Sequence, residues 1–597
     1  MYKLIKELFS LLTHQQRRKF YILQVLVVLV AIAEVASLAA IGPFMALVGN
    51  LELIETNQFI HDFYIESGVN DPISFLFIIG LLVLLILILS AVLSTFTIWK
   101  LSFFAARTGA EIGDSLYEYY LRENILFHSV TTSSQLTKQI ATEVARVTDH
   151  ILQPCVQINA RIVAVLFISI AIFIYDPVIS MVSLSMFLII YYVLFISVRN
   201  RLERNGSVIS KVSRERFTLM NEGFGAIKEI KLLGREKSFI NSFKASGEAF
   251  SEAYGSSNGL YNMPRYLMEL IIYSGVIVLI LILLKKYNGE LSQILPVLAV
   301  FGLASFKLLP SFQQIYSGMA QIKSNISALE AIKDDILLSR VVNKDALKNA
   351  CNIGYGEYIE LEEVSFKYPN KSNYALDGIT LKIPFKGVVG IVGPSGSGKS
   401  TLLDVLLGLI SPSQGNVFIG GKKLDINNLR NWQDRIGYVP QNVFLSEGSV
   451  IENVAFGIEK DSIDFEKVKK AVEMAHLKQW VNDLDDGYLT KIGERGVQIS
   501  GGQRQRLGIA RALYNDAEVL FFDEATSALD GITENIIMEA IESIGSKKTI
   551  IMIAHRLNTV KNCDLIFMIE QGRLVDQGSY QHLMENNPHF QRMALGK

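Results

Sequence analysis

The chain has 597 residues, half of them hydrophobic and 19% charged. That length predicts two to four domains, and a mean hydropathy of +0.31 excludes a disordered tail protein and argues against a purely cytosolic enzyme. The 57 Lys and Arg against 58 Asp and Glu leave a net charge of −1, so there is no bulk electrostatic basis for binding nucleic acid.

At the N-terminus Leu4, Ile5, Leu8, Phe9, Leu11 and Leu12 recur among Lys and Glu. That spacing fits an amphipathic helix on a membrane surface, with a plain cytosolic leader as the alternative. Six apolar runs follow, at about 20–48, 73–100, 151–176, 177–199, 265–286 and 291–317, each near the ~20 residues that ~30 Å of hydrocarbon requires. The first run follows Arg17, Arg18 and Lys19, but it is too long for a signal peptide and no small-residue cleavage site closes it. Residues 49–72 contain Glu52, Glu55, Asp62, Glu66 and Asp71 and no Lys or Arg, whereas 199–237 is rich in both. Positive charge marks the cytoplasmic side, so both termini are expected there. Two cytoplasmic excursions, about 101–150 and 200–264, keep a helical apolar period, which predicts helices that continue beyond the bilayer.

A transmembrane domain is therefore expected over 1–333, a polar linker with Asp334, Asp335, Lys344 and Asp345 over 334–356, and a soluble α/β domain over 357–597, where β-branched runs alternate with helical stretches. Cys155, Cys351 and Cys563 are far apart and form no metal-spaced pair or disulfide framework; they read as small buried apolar residues.

Gly393-Pro394-Ser395-Gly396-Ser397-Gly398-Lys399-Ser400 fits G-x-x-x-x-G-K-[ST], after the apolar strand Val388 to Val392 and before a helix from Thr401. This is the context of a P-loop, in which backbone N–H groups and a helix N-terminus surround phosphates, Lys399 contacts the β/γ-phosphates and Ser400 holds Mg²⁺. Val519 to Glu524 is an apolar strand ending in two carboxylates. Asp523 is suited to holding Mg²⁺ through water and Glu524 to polarising the attacking water of phosphoryl transfer. Alone, that pair could also cap the next helix.

Ser500-Gly501-Gly502-Gln503, followed by Arg504, Gln505 and Arg506, resembles the signature of ABC transporter ATPases, with Ile499 where Leu is usual. The resemblance implies ATP and Mg²⁺ as cofactors, and a signature that reaches ATP on the opposite subunit's P-loop in a homodimer. It also implies that Tyr368 stacks on adenine, that Thr401 belongs to the nucleotide site, and that Gln441 is the Q-loop glutamine contacting Mg²⁺ and the membrane domain. Ser527 to Asp530 resembles the D-loop, His555 the switch histidine at the γ-phosphate, and Gly493 to Gly496 the exporter-type X-loop. A membrane domain fused ahead of its ATPase is similar to the type IV ABC exporter fold, with coupling helices expected near Phe127–Leu136 and Gly223–Leu233.

Arg161, Arg265 and Lys307, with Glu34 and Glu269, lie within or at the ends of the apolar runs, roughly 22–30 Å from their outer ends. They form either a substrate site for an anionic headgroup or structural ion pairs at the inner interface. Residues 51–65 place Leu53, Ile60 and Phe63 beside Phe59 among acids, an amphipathic outer helix that either holds a lipid tail or caps the first two spans. Pro264 to Glu269, Phe306 to Pro310 and the acidic outer loop resemble bacterial lipid-linked oligosaccharide flippases, with Lys307 where that family has Arg and Ser90 near an expected basic residue. That resemblance implies ATP-driven flipping of a polyprenyl-diphosphate-linked oligosaccharide across the bacterial inner membrane, with Arg265 and Lys307 at matching positions as substrate residues; Arg161 joins them as a candidate from the charged layer alone. The alternative cargo is another amphiphile: a lipid A precursor, hydrophobic drug or peptide.

Overall fold

The computed structural model describes residues 2–595 except 50, 52, 70, 287–290, 342–356, 370, 494–498, 525–547 and 555. It separates into two compact units, one of residues 1–123 and 127–342 and one of 124–126 and 343–597.

The first unit is built on six long helices: α1 (His14–Gly49), α2 (Pro72–Arg122), α3 (Gln153–Tyr175), α4 (Pro177–Gly225), α5 (Glu236–Lys286) and α6 (Leu291–Val341). Among the described residues five stretches are long and apolar enough to cross a membrane; the run expected on α6 is not one of them. The side chains of 291–293 and 296, at the start of that run, lie outside the described residues. α2 starts where Asp71 accepts from the backbone N–H groups of Ile73 and Ser74 at 3.3 and 3.0 Å, with Pro72 in the first turn. Its 51 residues span about 77 Å, more than twice the ~30 Å of hydrocarbon, so much of the helix extends past the bilayer. Phe77, Leu81, Leu85, Leu89 and Val92 point outward along it, the arrangement of a lipid-facing surface.

Three expectations change here. Tyr2–Ser10 is a helix, but Leu8 and Leu11 are buried in a cluster with Leu116, Val147, Leu329 and Ile332, so its apolar face packs on the unit's own helices. The outer connection forms helices Leu53–Thr56 and Gln58–Glu66, in which Ile54, Ile60 and Tyr64 pack on Leu47 and Phe75 while Phe63 is 54% exposed; the side chains of Leu53 and Phe59 lie outside the described residues. α6 continues to Val341, past the 334 expected for the linker, because Leu329, Ile332 and Ile336 extend its buried stripe. Short helices Ile125–Val130, Ser133–Lys138 and Ile227–Leu232 occupy the regions expected to couple the domains.

The second unit holds a six-stranded sheet in the order Arg573–Gly578, Leu565–Glu570, Val388–Val392, Thr549–Ile553, Val519–Asp523, Ile436–Val439, all parallel except the first. Its central strands read as unbroken apolar runs, as strands covered on both faces must. A second, antiparallel sheet runs Leu376–Pro384, Tyr358–Phe366, Gln414–Ile419, Lys422–Lys423. The register pairs Ile391 and Asp523 with Ile553, and Val439 with Phe522. The loops after these parallel strands therefore emerge along one edge, where α/β sheets bind ligands.

Candidate functional site

Val388–Val392 delivers the chain into the P-loop, and Gly398 ends it with φ +104° immediately before the helix Lys399–Leu406. A Cβ on Gly398 would fall 2.5 Å from the Ala375 carbonyl, and one on Gly393 would fall 2.1 Å from that of Ile569, so neither position accepts a side chain. Pro394, Ser395 and Gly396 stand exposed at the crest, and Ser400 is exposed one residue into the helix. The Lys399 side chain folds back under the loop and donates to the Gly393 and Pro394 carbonyls at 2.9 and 2.8 Å. Burial pushes its ammonium below the usual lysine range, against the pull of Glu524 and Asp523. The Ser397 hydroxyl is buried and has no partner among the described residues. Thr401 is buried, 3.3 Å from the hydroxyl of Tyr368, whose ring stands edge-on to Phe366.

Two carboxylates face this loop. Asp523 closes its strand; Glu524 leaves it at φ +48°, a left-handed conformation held as its N–H donates to the Ile553 carbonyl at 3.1 Å. Gln441 Nε2 donates to Glu524 Oε2 at 2.6 Å, and the Tyr438 hydroxyl donates to Asp523 Oδ2 at 3.4 Å. Burial and then the charge of Glu524 push the Asp523 carboxyl up. Sequence reasoning missed Asp404, whose carboxyl is pushed up to about 6 by burial and by Asp523; a lone acid among Leu402, Leu403, Val405 and Leu406 was the available signal. It also missed Tyr438, whose hydroxyl is pushed up by burial and by the same two acids. The two carboxyls of Asp523 and Glu524 acting on one ammonium leave the site short of positive charge, which suits a divalent cation beside a polyphosphate.

The structure thus brings together the P-loop, Tyr368, Gln441, Asp523 and Glu524. His555, Ser527–Asp530 and Glu494–Gly496 lie outside the described residues. Ser500 caps the helix Gly501–Tyr514: its hydroxyl accepts from Gln503 N at 3.2 Å while Gln503 Oε1 accepts from Ser500 N at 2.8 Å. Ser500 and Gly501 are exposed, Gly502 is half-buried, and the helix packs chiefly on Phe465–Met474, Val450–Val454 and Ile436–Val439. No hydrogen bond joins this cap to the P-loop among the described residues.

In the first unit the expected group of charges divides. Arg161 Nη1 lies 4.0 Å from Glu34 Oε1 and its Nε donates to Gln314 at 2.5 Å; Lys307 Nζ donates to Ser37 Oγ at 2.9 Å and meets the Glu34 carbonyl at 3.5 Å. Arg265 instead pairs at 2.9 Å with Glu269 on its own helix and is 56% exposed. Arg161, Glu34, Gln157, Gln314, Ser94 and Thr97 line a cavity of about 70 Å³ between α1, α2, α3 and α6.

The sequence matches the family model described as ABC transporter over residues 376–527 and that of the ABC transporter transmembrane region over 36–318. The heterocyst differentiation ATP-binding protein HepA of Nostoc sp. is 29% identical over 79% of this chain and 76% of its own length. An ATP-dependent lipid A-core flippase of Cupriavidus pinatubonensis is 40% identical over 38% of each chain, so this chain spans about two-fifths of that relative. The structure of a bacterial Atm1-family ABC exporter with ATP bound superposes with a TM-score of 0.77 at 20% identity, over 97% of this chain and 98% of the other.

Proposed function

As an ABC exporter whose transmembrane and ATP-binding domains are fused in one chain, this multi-pass membrane protein hydrolyses ATP to drive transport, and we propose that its cargo is a lipid carrying a phosphorylated saccharide headgroup. The observation that carries this reading is a cavity where Arg161, Glu34, Gln157 and Gln314 converge among apolar side chains, inside helices whose outer faces are apolar. A guanidinium held by one distant carboxylate and one amide is able to exchange both for a phosphate, which it binds in bidentate fashion. Lys307 supplies a second cation, two turns before Gln314 on α6. Arg265 reaches the headgroup only by leaving Glu269.

Two lipids share this chemistry. A lipid A-type cargo is supported by the relatives named lipid A-core flippases. A polyprenyl-diphosphate-linked oligosaccharide is supported by the outer helix Gln58–Glu66, which leaves Phe63 and Ile65 exposed beside acids for a long apolar tail. The membrane of this reading is a bacterial inner membrane, and an orientation with both termini cytoplasmic is supported by the acidic 49–72 loop and the basic 199–237 segment. Its transmembrane domain runs to the end of α6 and its nucleotide-binding domain from about 357.

At the ATP site the loop from Gly393 through Ser395 and Gly396 to Gly398 encloses the phosphates, with Lys399 turning from its carbonyl partners onto them. Tyr368 stacks on adenine, and Thr401 fixes the Tyr368 hydroxyl. Ser400, Asp523 and Gln441 would hold Mg²⁺, which neutralises phosphate charge when bound. Glu524 orients the attacking water and His555 meets the γ-phosphate. Ser500, Gly501, Gly502 and Gln503, which make no hydrogen bond to their own P-loop among the described residues, complete the site of a second copy, so the working form is a homodimer.

The test is ATPase activity of the full chain in nanodiscs, with lipid A, polyprenyl-diphosphate oligosaccharide or a drug panel. Stimulation at least twofold by either saccharide lipid, and loss of its flipping in proteoliposomes on Arg161→Ala with basal turnover kept, supports the proposal. Stimulation by drugs alone, or flipping unchanged in Arg161→Ala, refutes it.

A further inference from the structure

Away from both sites, the first unit buries a cluster of three charges. Lys138 and Glu143 are 3% and 0% exposed, and Arg146 is almost as enclosed. Lys138 pairs with Glu143 Oε1, and Arg146 Nη1 lies 2.9 Å from Glu143 Oε2. The cations then reach two other helices. Arg146 donates to Ser210 Oγ of α4 at 2.6 Å and to Asn325 Oδ1 of α6 at 3.0 Å; Lys138 donates to the Ser210 carbonyl at 3.1 Å. Ser210 Oγ meets Ser327 Oγ at 3.0 Å, and Ser327 donates to the Gly206 carbonyl at 3.1 Å. The backbones of α4 and α6 touch here, since a Cβ on Gly206 would fall 1.7 Å from the Ser324 carbonyl. At Gly109, α2 comes as close to Thr148, where a Cβ would fall 2.0 Å from Thr148 Oγ1.

The pairing depends on an irregularity in the backbone. Lys138 and Glu143 are five residues apart, which in an α-helix places them about 140° apart around the axis. Gln139–Glu143 is instead a π turn closed by Val144 N–H to the Gln139 carbonyl, and Thr148–Leu152 is a second one. Such a turn holds one residue more than the α-helix and brings positions five apart onto one side. Regularising it moves Lys138 off Glu143 and withdraws both cations from Ser210. Buried charges of this kind add little net stability, and their best-attested use is to fix one register among alternatives. A register fixed by a turn that can regularise is a two-state element.

We propose that the π turn Gln139–Glu143, pinned by Lys138, Glu143 and Arg146, is a latch between α4 and α6 that closes and opens in each ATP-driven cycle. The proposal rests on ATP-driven transport and is independent of the lipid carried.

The test is a reversible cross-link. Ser210→Cys with Ser327→Cys, in a full-length chain also carrying Cys155→Ala, Cys351→Ala and Cys563→Ala, joins α4 to α6 and keeps Lys138, Glu143 and Arg146 in place, giving up of their contacts only the Arg146 hydrogen bond to Ser210 Oγ; the reduced form of this chain is the reference for every rate. In nanodiscs with Mg-ATP, oxidation is expected to lower ATP turnover at least fivefold, with recovery on adding reductant. An oxidised, fully cross-linked protein that turns over at the reduced rate overturns the latch, and so does failure of the cross-link to form without nucleotide. A second variant, Glu143→Gln, is expected to slow cross-linking without nucleotide at least threefold; cross-linking at the parent rate shows that the charges do not hold α4 against α6. Because turnover and cross-linking are read without added lipid, a wrong cargo assignment leaves both results interpretable.

Discussion

Glu524 occupies a backbone conformation that few non-glycine residues adopt, at the end of a strand buried on both faces. Its carboxylate is thereby aimed at Gln441 and the P-loop. Glu524→Gln preserves size and the hydrogen-bonding reach, so ATP affinity is expected to stay within about twofold while hydrolysis falls roughly 10²–10⁴-fold, the usual worth of a positioned base; titration of ATP binding beside steady-state turnover checks both. Near-normal turnover would remove Glu524 from that role. Asp404 gives a pH signature. Its carboxyl stands at about 6 in the folded chain against the ordinary aspartate value of 3.8. Between those values the folded chain binds more protons than the unfolded one, so Asp404 makes stability fall as pH rises from about 4 to about 6, and the loss persists above. Asp404→Asn is therefore expected to raise the Tm of the nucleotide-free protein at neutral pH, with the advantage over the parent disappearing near pH 4. Thermal unfolding across that range reads it directly, and an advantage that grows toward acid pH would reverse the assignment.

The elements show why one half of the chain was easier to read than the other. The P-loop, the strand ending at Asp523 and the signature are each contiguous, because phosphate chemistry needs adjacent N–H groups or adjacent carboxylates, and adjacency is written in the sequence. Parallel pairing then aligns the loops after Val392, Val439 and Asp523 without further information. In the membrane half the partners come from different helices. Arg161, Lys307 and Glu34 were legible as intramembrane charges, but not their division from Arg265 and Glu269. The π turn at Gln139–Glu143 was illegible, since a period of 3.6 reads through a single added residue. Its clue was Glu143, an acid at a position the helical pattern buries. At the signature helix, Ser500 and Gln503 satisfy each other's backbone N–H groups. Ser500→Ala is expected to lose about 1 kcal/mol of helix stability, and Ser500→Thr to keep most of it. Hydrogen exchange over 501–505 distinguishes the two, and equal protection in both variants would mean the cap contributes nothing.

At the scale of the whole molecule, a signature that makes no hydrogen bond to its own P-loop among the described residues, and that is proposed to complete the site of a second copy, makes a complementation prediction. A chain with Lys399→Ala and a chain with Ser500→Arg should each be inactive as homodimers. Mixed, they form dimers in which one site carries both defects and the other carries none. Turnover is expected to return to a substantial fraction of the parent on mixing. Continued inactivity after proven subunit exchange would mean that each chain completes its own site, or that one intact site does not suffice.

The close contact of α2 with Thr148 has a mechanical consequence. Gly109 lies 13 residues from the C-terminal end of that helix and 37 from its N-terminal end. With this contact as the fulcrum, a rigid helix has arms of about 20 and 56 Å, so a push of about 2 Å at the C-terminal tip swings the N-terminal tip by nearly 6 Å. A small displacement of the short arm is thereby traded for a large one of the long arm, with the force reduced in the same proportion. The length of the short arm sets that gearing: trimming it would raise the speed of the far tip and weaken it against a load.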